Sequence, residues 1–447
     1  MSWERMTRVN RRTLLGAIGT AGVAGLAGCS GGNGTETTGG GGGTEGGSTT
    51  SGGDTEGGSD SGSGQMPDSM TNWAWNDPSL QPVREDQAAE FEEMTGTSIN
   101  WQTFPFGDFT AKFTSALQGG NAPDTTALSV LWVPRYAAQN VILDLEQEGF
   151  SSDNYVGGAK RNAMTNGSLY SVPWYADCRA LAINKTMFEA AGLEIPDPMT
   201  RPSWEEWKSW VDALAEEHGT GYGMPAGEGF DGFVLSNGGG YINDDASEAI
   251  INNDAALEAA EFLQPMVTDG KIETYTGGGA TTAGAQFESK NIPMYYAGSW
   301  DYGRMEDAGL DWQYVPHPSG PQIDTSHTWS AGVYYSVPSR GGANQEAGLR
   351  FLEYISSVET QKKVVEAIGG FPGLKEAYET DYFNNYIEEH PKLKTIEQEM
   401  SNTIAFPDHP EVGTMWTAVH TQAEALWTGT EPKQALDKAA QEIESVL

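Results

Sequence analysis

The chain is poor in cysteine, histidine and basic residues. Its 447 residues include 2 Cys, 6 His and 25 Lys plus Arg. Two cysteines cannot form a disulfide framework, and the Cys and His residues match no metal-binding spacing. We therefore expect a fold that depends on its apolar core, without a metal or another cofactor.

Acidic residues, in contrast, are abundant. The chain has 62 Asp plus Glu, which gives a formal net charge of -37. This charge repels nucleic acids and anionic membrane surfaces, so neither is an expected partner. Salt reduces the resulting self-repulsion, since the screening length falls to about 3 Å at 1 M ionic strength. The composition is therefore typical of a halophilic source.

The N-terminal region has the features of an export signal. The sequence Arg-Arg-Thr-Leu-Leu at 11–15 fits a twin-arginine signal, although Asn10 departs from the usual Ser or Thr. Leu-Ala-Gly-Cys at 26–29 resembles a lipoprotein processing site. We predict a signal peptide over residues 1–28, lipidation of Cys29 and a flexible Gly/Ser/Thr/acidic tether over 29–69. An uncleaved anchor is the alternative, but the apolar stretch is shorter than the ~20 residues of a spanning helix.

From residue 70 onward, strand and helix patterns alternate. Residues 98–104 alternate with period two, and residues 125–131 form an almost continuous apolar strand. A further strand is expected at 181–184. We predict helices over 84–95, 109–117, 185–191, 203–217, 255–268, 343–358, 359–368 and 431–446. This alternation predicts an α/β fold with doubly wound sheets.

Several motifs occur in an order that resembles the family 1 extracellular solute-binding proteins. They are FEEMTG at 91–96, LQGGNAPD at 117–124, GSLYSVP at 167–173, NKTMFEAAGL at 184–193 and SWEEW at 203–207. The resemblance extends over roughly residues 70–447. It implies a two-lobed, type II periplasmic-binding-protein-like fold, in which hinge segments link the lobes and the ligand binds in the cleft between them.

Resemblance to maltose-binding proteins also implies where the lobes divide. The chain would cross between lobes near 172–177, 311–317 and 368–371. Lobe 1 would comprise residues 70–173 and 317–368, and lobe 2 residues 178–311 and 370–447. The implied function is the extracellular substrate-binding component of an ABC importer, not an enzyme. It would be a monomer, attached to the outer face of the membrane only through its lipid, with permease subunits as partners.

A sugar presents an apolar C–H face and a rim of hydroxyl groups, so its site needs aromatic rings and polar side chains. Both kinds occur where the family has its binding loops, after strands and at the predicted hinges. The expected ligand-binding residues are Trp75, Asn76, Asp77, Trp132, Asp177, Glu228, Phe230, Trp300, Asp301, Phe371 and Trp416.

Other aromatic residues and the second cysteine are expected to be structural. Trp75 is favoured over Trp73 as a ligand contact, and Trp204 and Trp207 are interpreted as helix packing. Cys178 follows Asp177, whose negative charge would raise the thiol pKa, so we expect a buried, unreactive cysteine.

Two other functions stay open at the level of sequence. A lipid-anchored glycoside hydrolase would need only two of the many carboxylates. A binding protein for glycerol phosphate, a polyamine or iron would have the same fold. The adjacent tyrosines Tyr295-Tyr296 and Tyr334-Tyr335 resemble those of iron-binding proteins, but a strand would place one tyrosine of each pair inward without any metal.

Overall fold

The computed structural model describes residues 66–276, 279–323 and 325–447. The predicted signal peptide, the lipidation site Cys29 and the tether up to residue 65 lie outside the described residues. Ser69, the last residue of the predicted tether, already pairs with Ser98 in the first sheet.

The strands are short, and most of them fall into two sheets. They are β1 Ser69–Trp75, β2 Ser98–Phe104, β3 Thr125–Leu128, β4 Met164–Thr165, β5 Ser168–Leu169, β6 Val172–Asp177, β7 Arg179–Asn184, β8 Tyr222–Pro225, β9 Ile272–Tyr275, β10 Met294–Gly298, β11 Trp312–Val315, β12 Thr328–Trp329, β13 Ala331–Ser336 and β14 Thr403–Ile404.

The helices separate these strands along the chain. They are α1 Gln81–Thr95, α2 Phe106–Gly119, α3 Val133–Ala138, α4 Gly157–Ala163, α5 Lys185–Ala190, α6 Trp204–His218, α7 Ala226–Ser236, α8 Asp254–Thr268, α9 Gly279–Glu288, α10 Tyr302–Asp307, α11 Gln345–Ile355, α12 Val358–Ile368, α13 Asp381–Glu389, α14 Leu393–Met400, α15 Val412–Trp427 and α16 Pro432–Glu444. The predicted helices are confirmed, with their ends shifted by a few residues.

Two five-stranded sheets organise the fold. The first sheet has the order β2-β1-β3-β13-β6 and the second the order β11-β7-β10-β8-β9. Both are mixed: β1 runs parallel to β2 and β3, whereas β13 runs antiparallel to β3 and β6. Each sheet has its own apolar core, one including Leu128 and Val333 and the other Ile183 and Met224. The predicted two-unit α/β architecture is therefore present.

The first passage of the chain from one sheet to the other takes a single residue. Strand β6 ends at Asp177 in the first sheet, β7 begins at Arg179 in the second, and Cys178 lies between them. Beside this crossing, Phe371 exchanges two backbone hydrogen bonds with Ala176, at 2.7 and 3.0 Å. The lobe limits assigned from the sequence stay a prediction.

The cap of α6 shows how local sequence sets an element. The Ser203 side chain accepts a hydrogen bond from the Glu206 backbone N–H at 3.2 Å, as expected for a helix N-cap. Trp204 and Trp207 follow on the buried face, where they pack against Phe233 and Phe262. Their predicted packing role is confirmed.

Two details differ from the sequence predictions. Strand β3 ends at Leu128 rather than at residue 131, because the chain turns at Ser129, whose carbonyl accepts from the Trp132 N–H at 2.9 Å. The prediction that only one tyrosine of each adjacent pair faces inward is also wrong. Residues 295–296 and 334–335 are all buried, as expected for central strands with side chains packed on both faces.

Cys178 is a buried free cysteine, as predicted. Burial raises the pKa of its thiol well above the usual value, and the nearby carboxylates Glu399 and Asp177 add to that effect. The thiol therefore stays protonated at neutral pH and is a poor nucleophile.

Candidate functional site

A cleft of about 680 Å³ lies where the two sheets face each other. Residues at or just after the ends of β1, β3 and β6 contribute to one wall, and residues from β8, β10, α7 and α15 contribute to the other. Six of the residues predicted to bind ligand line it: Trp75, Asp77, Asp177, Glu228, Trp300 and Trp416. The fold thus brings together residues that lie up to several hundred positions apart in the sequence.

The wall on the side of the first sheet includes a group of aromatic rings. Trp75, the last residue of β1, makes edge-to-face contacts with Phe106 at 5.7 Å and Trp132 at 5.9 Å between ring centroids. Phe106 is 42% exposed, which is unusual for a large apolar side chain. The Asp77 carboxylate also lines the cleft, and it accepts a hydrogen bond from the Ser79 N–H at 3.0 Å.

An arginine on the opposite wall connects a carboxylate with an aromatic ring. Arg179, the first residue of β7, forms an ion pair with Glu228 on α7. Its guanidinium lies 4.0 Å from the centroid of the Trp300 ring, which is the distance of a cation–π contact. The contact with Arg179 fixes the orientation of the Trp300 ring. The positive charge of Arg179 is balanced by the Glu228 carboxylate.

Asp177 is only 4% exposed, yet it lines the cleft at the crossing between the sheets. Burial raises the pKa of its carboxyl group to about 7, Arg179 opposes this effect, and Glu228 and Asp301 add to it. Near neutral pH both protonation states are therefore populated. A carboxyl group in this range can accept a hydrogen bond from a ligand hydroxyl or donate one to it.

A second polar group at the cleft was not predicted. Asp231 on α7 accepts hydrogen bonds from the Tyr241 hydroxyl at 2.8 and 2.9 Å and from Trp329 Nε1 at 3.3 Å. Its carboxylate also lies 2.9 Å from His420 Nε2, and the His420 ring lies 3.8 Å from that of Trp416. Asp231 therefore binds Trp329 directly, and it also binds His420, whose ring contacts Trp416.

Glycine makes the approach of α15 to α7 possible. A Cβ atom at Gly227 would lie 2.1 Å from the His420 ring, closer than any side chain could tolerate. Asp231 lies three residues after Glu228 on α7, so the two carboxylates share one side of the helix. The spacing is present in the sequence, but no helix was predicted there.

Five predicted residues do not line the cleft. Asn76 is exposed on the surface beside it. Trp132 is 8% exposed and stacks on Phe109 at 5.1 Å, so it supports the aromatic wall from behind. Phe371 is buried against Phe383, where its backbone pairs with β6.

Phe230 and Asp301 are also buried away from the cleft. Phe230 packs edge-to-face against Trp427 because it lies two positions from Glu228, on another face of α7. Asp301 accepts hydrogen bonds from the Tyr295 hydroxyl at 2.7 Å and from the Gly298 N–H at 3.0 Å, and it pairs with Arg304. Its role in the structure is to fix the turn that presents Trp300.

Two structural features are absent from the described ranges. Within residues 66–276, 279–323 and 325–447, no group of three or more His, Cys, Asp or Glu side chains could hold a metal ion. In the same part of the chain, no helix has the length and apolar character needed to cross a membrane.

Comparison of the sequence with known proteins reveals its relatives. Two of them are the maltotriose-binding protein of Pyrococcus abyssi and the diacetylchitobiose binding protein of Streptomyces coelicolor. The first is 21% identical over 344 residues, which are 74% of this chain and 70% of the relative. The second is 23% identical over 333 residues, 72% of this chain and 77% of the relative.

Solved structures share the fold. The GacH receptor of Streptomyces glaucescens, determined unliganded and with acarbose, superposes with a TM-score of 0.76 at 22% identity and covers 85% of this chain and 98% of its own. A solute-binding protein of Thermotoga lettingae bound to α-D-tagatose gives 0.74 at 23% identity, over 85% and 100% of the two chains. At these identities the likeness establishes the two-lobed fold and no more.

The family itself is established by a match that covers more than half of the chain. Residues 86–395 match the model of a family described as bacterial extracellular solute-binding protein. This match includes the whole second sheet, every strand of the first sheet except β1, and much of the cleft lining. The chain therefore belongs to the bacterial extracellular solute-binding protein family.

Proposed function

We propose that this protein is the substrate-binding component of an ABC importer and that it binds a carbohydrate between its two lobes. The observation that carries the proposal is the composition of the cleft. Half-buried rings of Trp75, Trp300 and Trp416 lie beside the carboxyl groups of Asp177 and Glu228. Rings match the C–H face of a sugar, and carboxyl groups match its hydroxyls.

Binding requires no covalent chemistry. Because both walls of the cleft contribute contacts, a ligand interacts with more groups when the lobes are close together than when they are apart. The ligand therefore favours the closed arrangement by its higher affinity for it. A transporter that recognises this arrangement receives loaded protein. A dissociation constant of 1 μM, which we expect as an upper limit, corresponds to about -8 kcal/mol.

The charges in the cleft favour a neutral ligand over an anionic one. One relative, at 23% identity, is the sn-glycerol-3-phosphate-binding periplasmic protein of Salmonella paratyphi A. A phosphate group needs unpaired cationic donors, but Arg179 is already paired with Glu228. The carboxylates Asp77 and Glu424 also line the cleft and would repel an anion.

A thermal-shift screen in high salt tests this proposal. The ligands are glucose, maltose, maltotriose, N-acetylglucosamine and diacetylchitobiose, with glycerol 3-phosphate and spermidine as representatives of the other classes. We expect at least one sugar to raise the melting temperature and glycerol 3-phosphate to leave it unchanged. A shift with glycerol 3-phosphate or spermidine alone would contradict the proposal. Release of shorter sugars during incubation would support a hydrolase instead.

The proposal also includes how the protein reaches and stays at its place of action. We infer twin-arginine export, cleavage before Cys29, a lipid on that cysteine and a halophilic source. The protein would then be a monomer on the extracellular face of the membrane, beside its permease. The variant Cys29→Ala is expected to move from the membrane fraction to the medium or supernatant, which fractionation measures. An unchanged membrane fraction would contradict lipid anchoring.

A further inference from the structure

Trp329 and Phe406 form a stacked aromatic pair in the cleft, and neither is among the residues predicted from the sequence to bind ligand. Their ring centroids are 4.3 Å apart and their planes differ by 18°. Both side chains are only partly buried, and both line the cleft. Two large rings that are partly open to a cleft provide apolar surface that a ligand can cover. Removing this surface from water makes a favourable contribution to the free energy of binding.

The backbone under this pair is firmly held. Strand β12 pairs with β14, so that Trp329 lies opposite Ile404. The buried Asn162 side chain connects the two segments: its Nδ2 donates to the Ser330 carbonyl at 2.7 Å, and its Oδ1 accepts from the Phe406 N–H at 3.2 Å. The positions of both rings are therefore set by main-chain contacts rather than by a mobile loop.

The indole of Trp329 also has a fixed orientation. Its Nε1–H donates to Asp231, which is 1% exposed and is held in turn by Tyr241 and His420. The one polar atom of the indole is thus satisfied inside the protein. The part of the indole that faces the cleft is therefore apolar, and an apolar ring can pack against the C–H face of a sugar.

Two carboxylates on α7 are therefore each connected to an aromatic group of the cleft, one to Trp300 and the other to the Trp329–Phe406 pair. Glu228 pairs with Arg179, which contacts Trp300, whereas Asp231 bonds to Trp329. The two carboxylates are three residues apart, which is about 4.5 Å along a helix axis. The cleft volume of about 680 Å³ is more than twice the roughly 300 Å³ at which small-molecule sites begin. It has room for more than one sugar ring.

We infer that the Trp329–Phe406 pair is a second sugar-binding subsite and that the ligand therefore contains at least two linked sugar rings. In this arrangement one ring of the ligand lies in the part of the cleft with Trp300 and Glu228, and the next ring contacts Trp329 and Phe406. The inference rests on the proposed carbohydrate function and adds the size of the ligand to it.

Calorimetric titration with sugars of increasing length tests the subsite. The probes are glucose, maltose and maltotriose, and N-acetylglucosamine with diacetylchitobiose. For the wild type we expect the two- or three-ring member of one series to bind at least about tenfold more tightly than its single-ring member. Trp329→Ala should weaken the longer ligand by about tenfold and the single ring by less than about twofold.

Two further variants show whether weaker binding comes from loss of the aromatic contact with the ligand or from unfolding of the protein. Phe406→Leu removes the second ring but retains apolar volume, and it should show the same preference for weakening the longer ligand. Trp73→Ala removes an indole that packs on Phe104 and Phe113 outside the cleft lining, and it should leave both affinities unchanged. Melting temperatures of all variants identify any that fail to fold.

The titrations distinguish failure of the subsite from failure of the carbohydrate function. The subsite is overturned if the wild type binds single rings as tightly as longer sugars, or if Trp329→Ala and Phe406→Leu weaken both to the same degree. In either case the carbohydrate function would survive. If the wild type binds none of the sugars, the proposed function itself fails, and this inference fails with it.

Discussion

At the scale of single residues, burial decides which predicted side chains can meet a ligand. Asp177 and Asp301 are both buried acids near Arg residues, but only Asp177 lines the cleft. Asp301 has its oxygens occupied by Tyr295, Gly298 and Arg304, so it supports the structure from within. Resemblance to the family identified the neighbourhood of both acids but not the direction in which each side chain points.

The pKa of Asp177 leads to a prediction about stability. Since burial raises the folded-state pKa to about 7, above the unfolded value of about 3.9, ionisation is less favourable in the folded protein. The free energy of unfolding should therefore fall as the pH rises between these two values. From pH 5 to pH 8 this one group contributes a loss of about 2–3 kcal/mol.

The variant Asp177→Asn isolates this effect. It has no ionisable group at position 177, so its free energy of unfolding should decline less over the same pH range. Urea unfolding of both proteins at pH 5 and pH 8 measures the difference. Parallel pH dependences of wild type and variant would show that Asp177 titrates normally in the folded state.

Residues on one helix show why the site was only partly predictable. Glu228 was predicted and lines the cleft, Phe230 was predicted and is buried, and Asp231 was not predicted although it touches two cleft groups. A helix turns by 100° per residue, so positions 228 and 231 share a face and position 230 does not. No helix was predicted over Ala226–Ser236, so this spacing was not applied and Asp231 was missed.

At the scale of elements, strand prediction succeeded where the pattern was regular. The alternation over Ser98–Phe104 gave the bounds of β2 directly. The run from residue 125 predicted the start of β3 but not its end, because Ser129, Val130 and Leu131 stay buried through a turn. Residues 125–131 are all buried, so the burial pattern alone does not mark the residue at which the strand ends.

The pairing of β6 with β13 depends on one glycine. Gly332 has a φ of 136°, and a Cβ atom there would lie 2.2 Å from the Tyr175 carbonyl oxygen. Gly332→Ala should therefore destabilise the protein by about 3 kcal/mol or more, through backbone strain and the clash together.

A second glycine gives the matched control for that substitution. Gly96 ends α1 with a φ of 77°, and a Cβ atom there would meet nothing within 4 Å. Gly96→Ala should cost only about 1 kcal/mol, from the left-handed backbone alone. Urea unfolding compares the two variants, and equal losses would contradict the importance of the close contact at Gly332.

At the scale of the whole molecule, the fold and the salt dependence of stability have different origins in the sequence. The fold follows from strand and helix patterns that the sequence displays, whereas the net charge of -37 determines how stability depends on salt. The relative position of the two sheets was implied only by resemblance, because contacts such as Phe371 with Ala176 join residues almost two hundred positions apart.

The charge predicts a rise in melting temperature with salt. Raising NaCl from 0.1 to 2 M shortens the screening length from about 10 Å to less than 3 Å, which reduces repulsion among the acidic groups. We expect the melting temperature to rise by roughly 5 °C or more. Sucrose at matched osmolality is the non-ionic control, and an equal rise in sucrose would show that charge screening is not the cause.

The central claim is that a sugar binds in the cleft between the two sheets, in contact with Trp300. Calorimetric titration of wild type, Trp300→Ala and Trp73→Ala with the tightest sugar from the screen tests it most directly. The account predicts that Trp300→Ala loses at least about tenfold in affinity with its fold intact, and that Trp73→Ala binds like the wild type. Unchanged affinity in Trp300→Ala would contradict it.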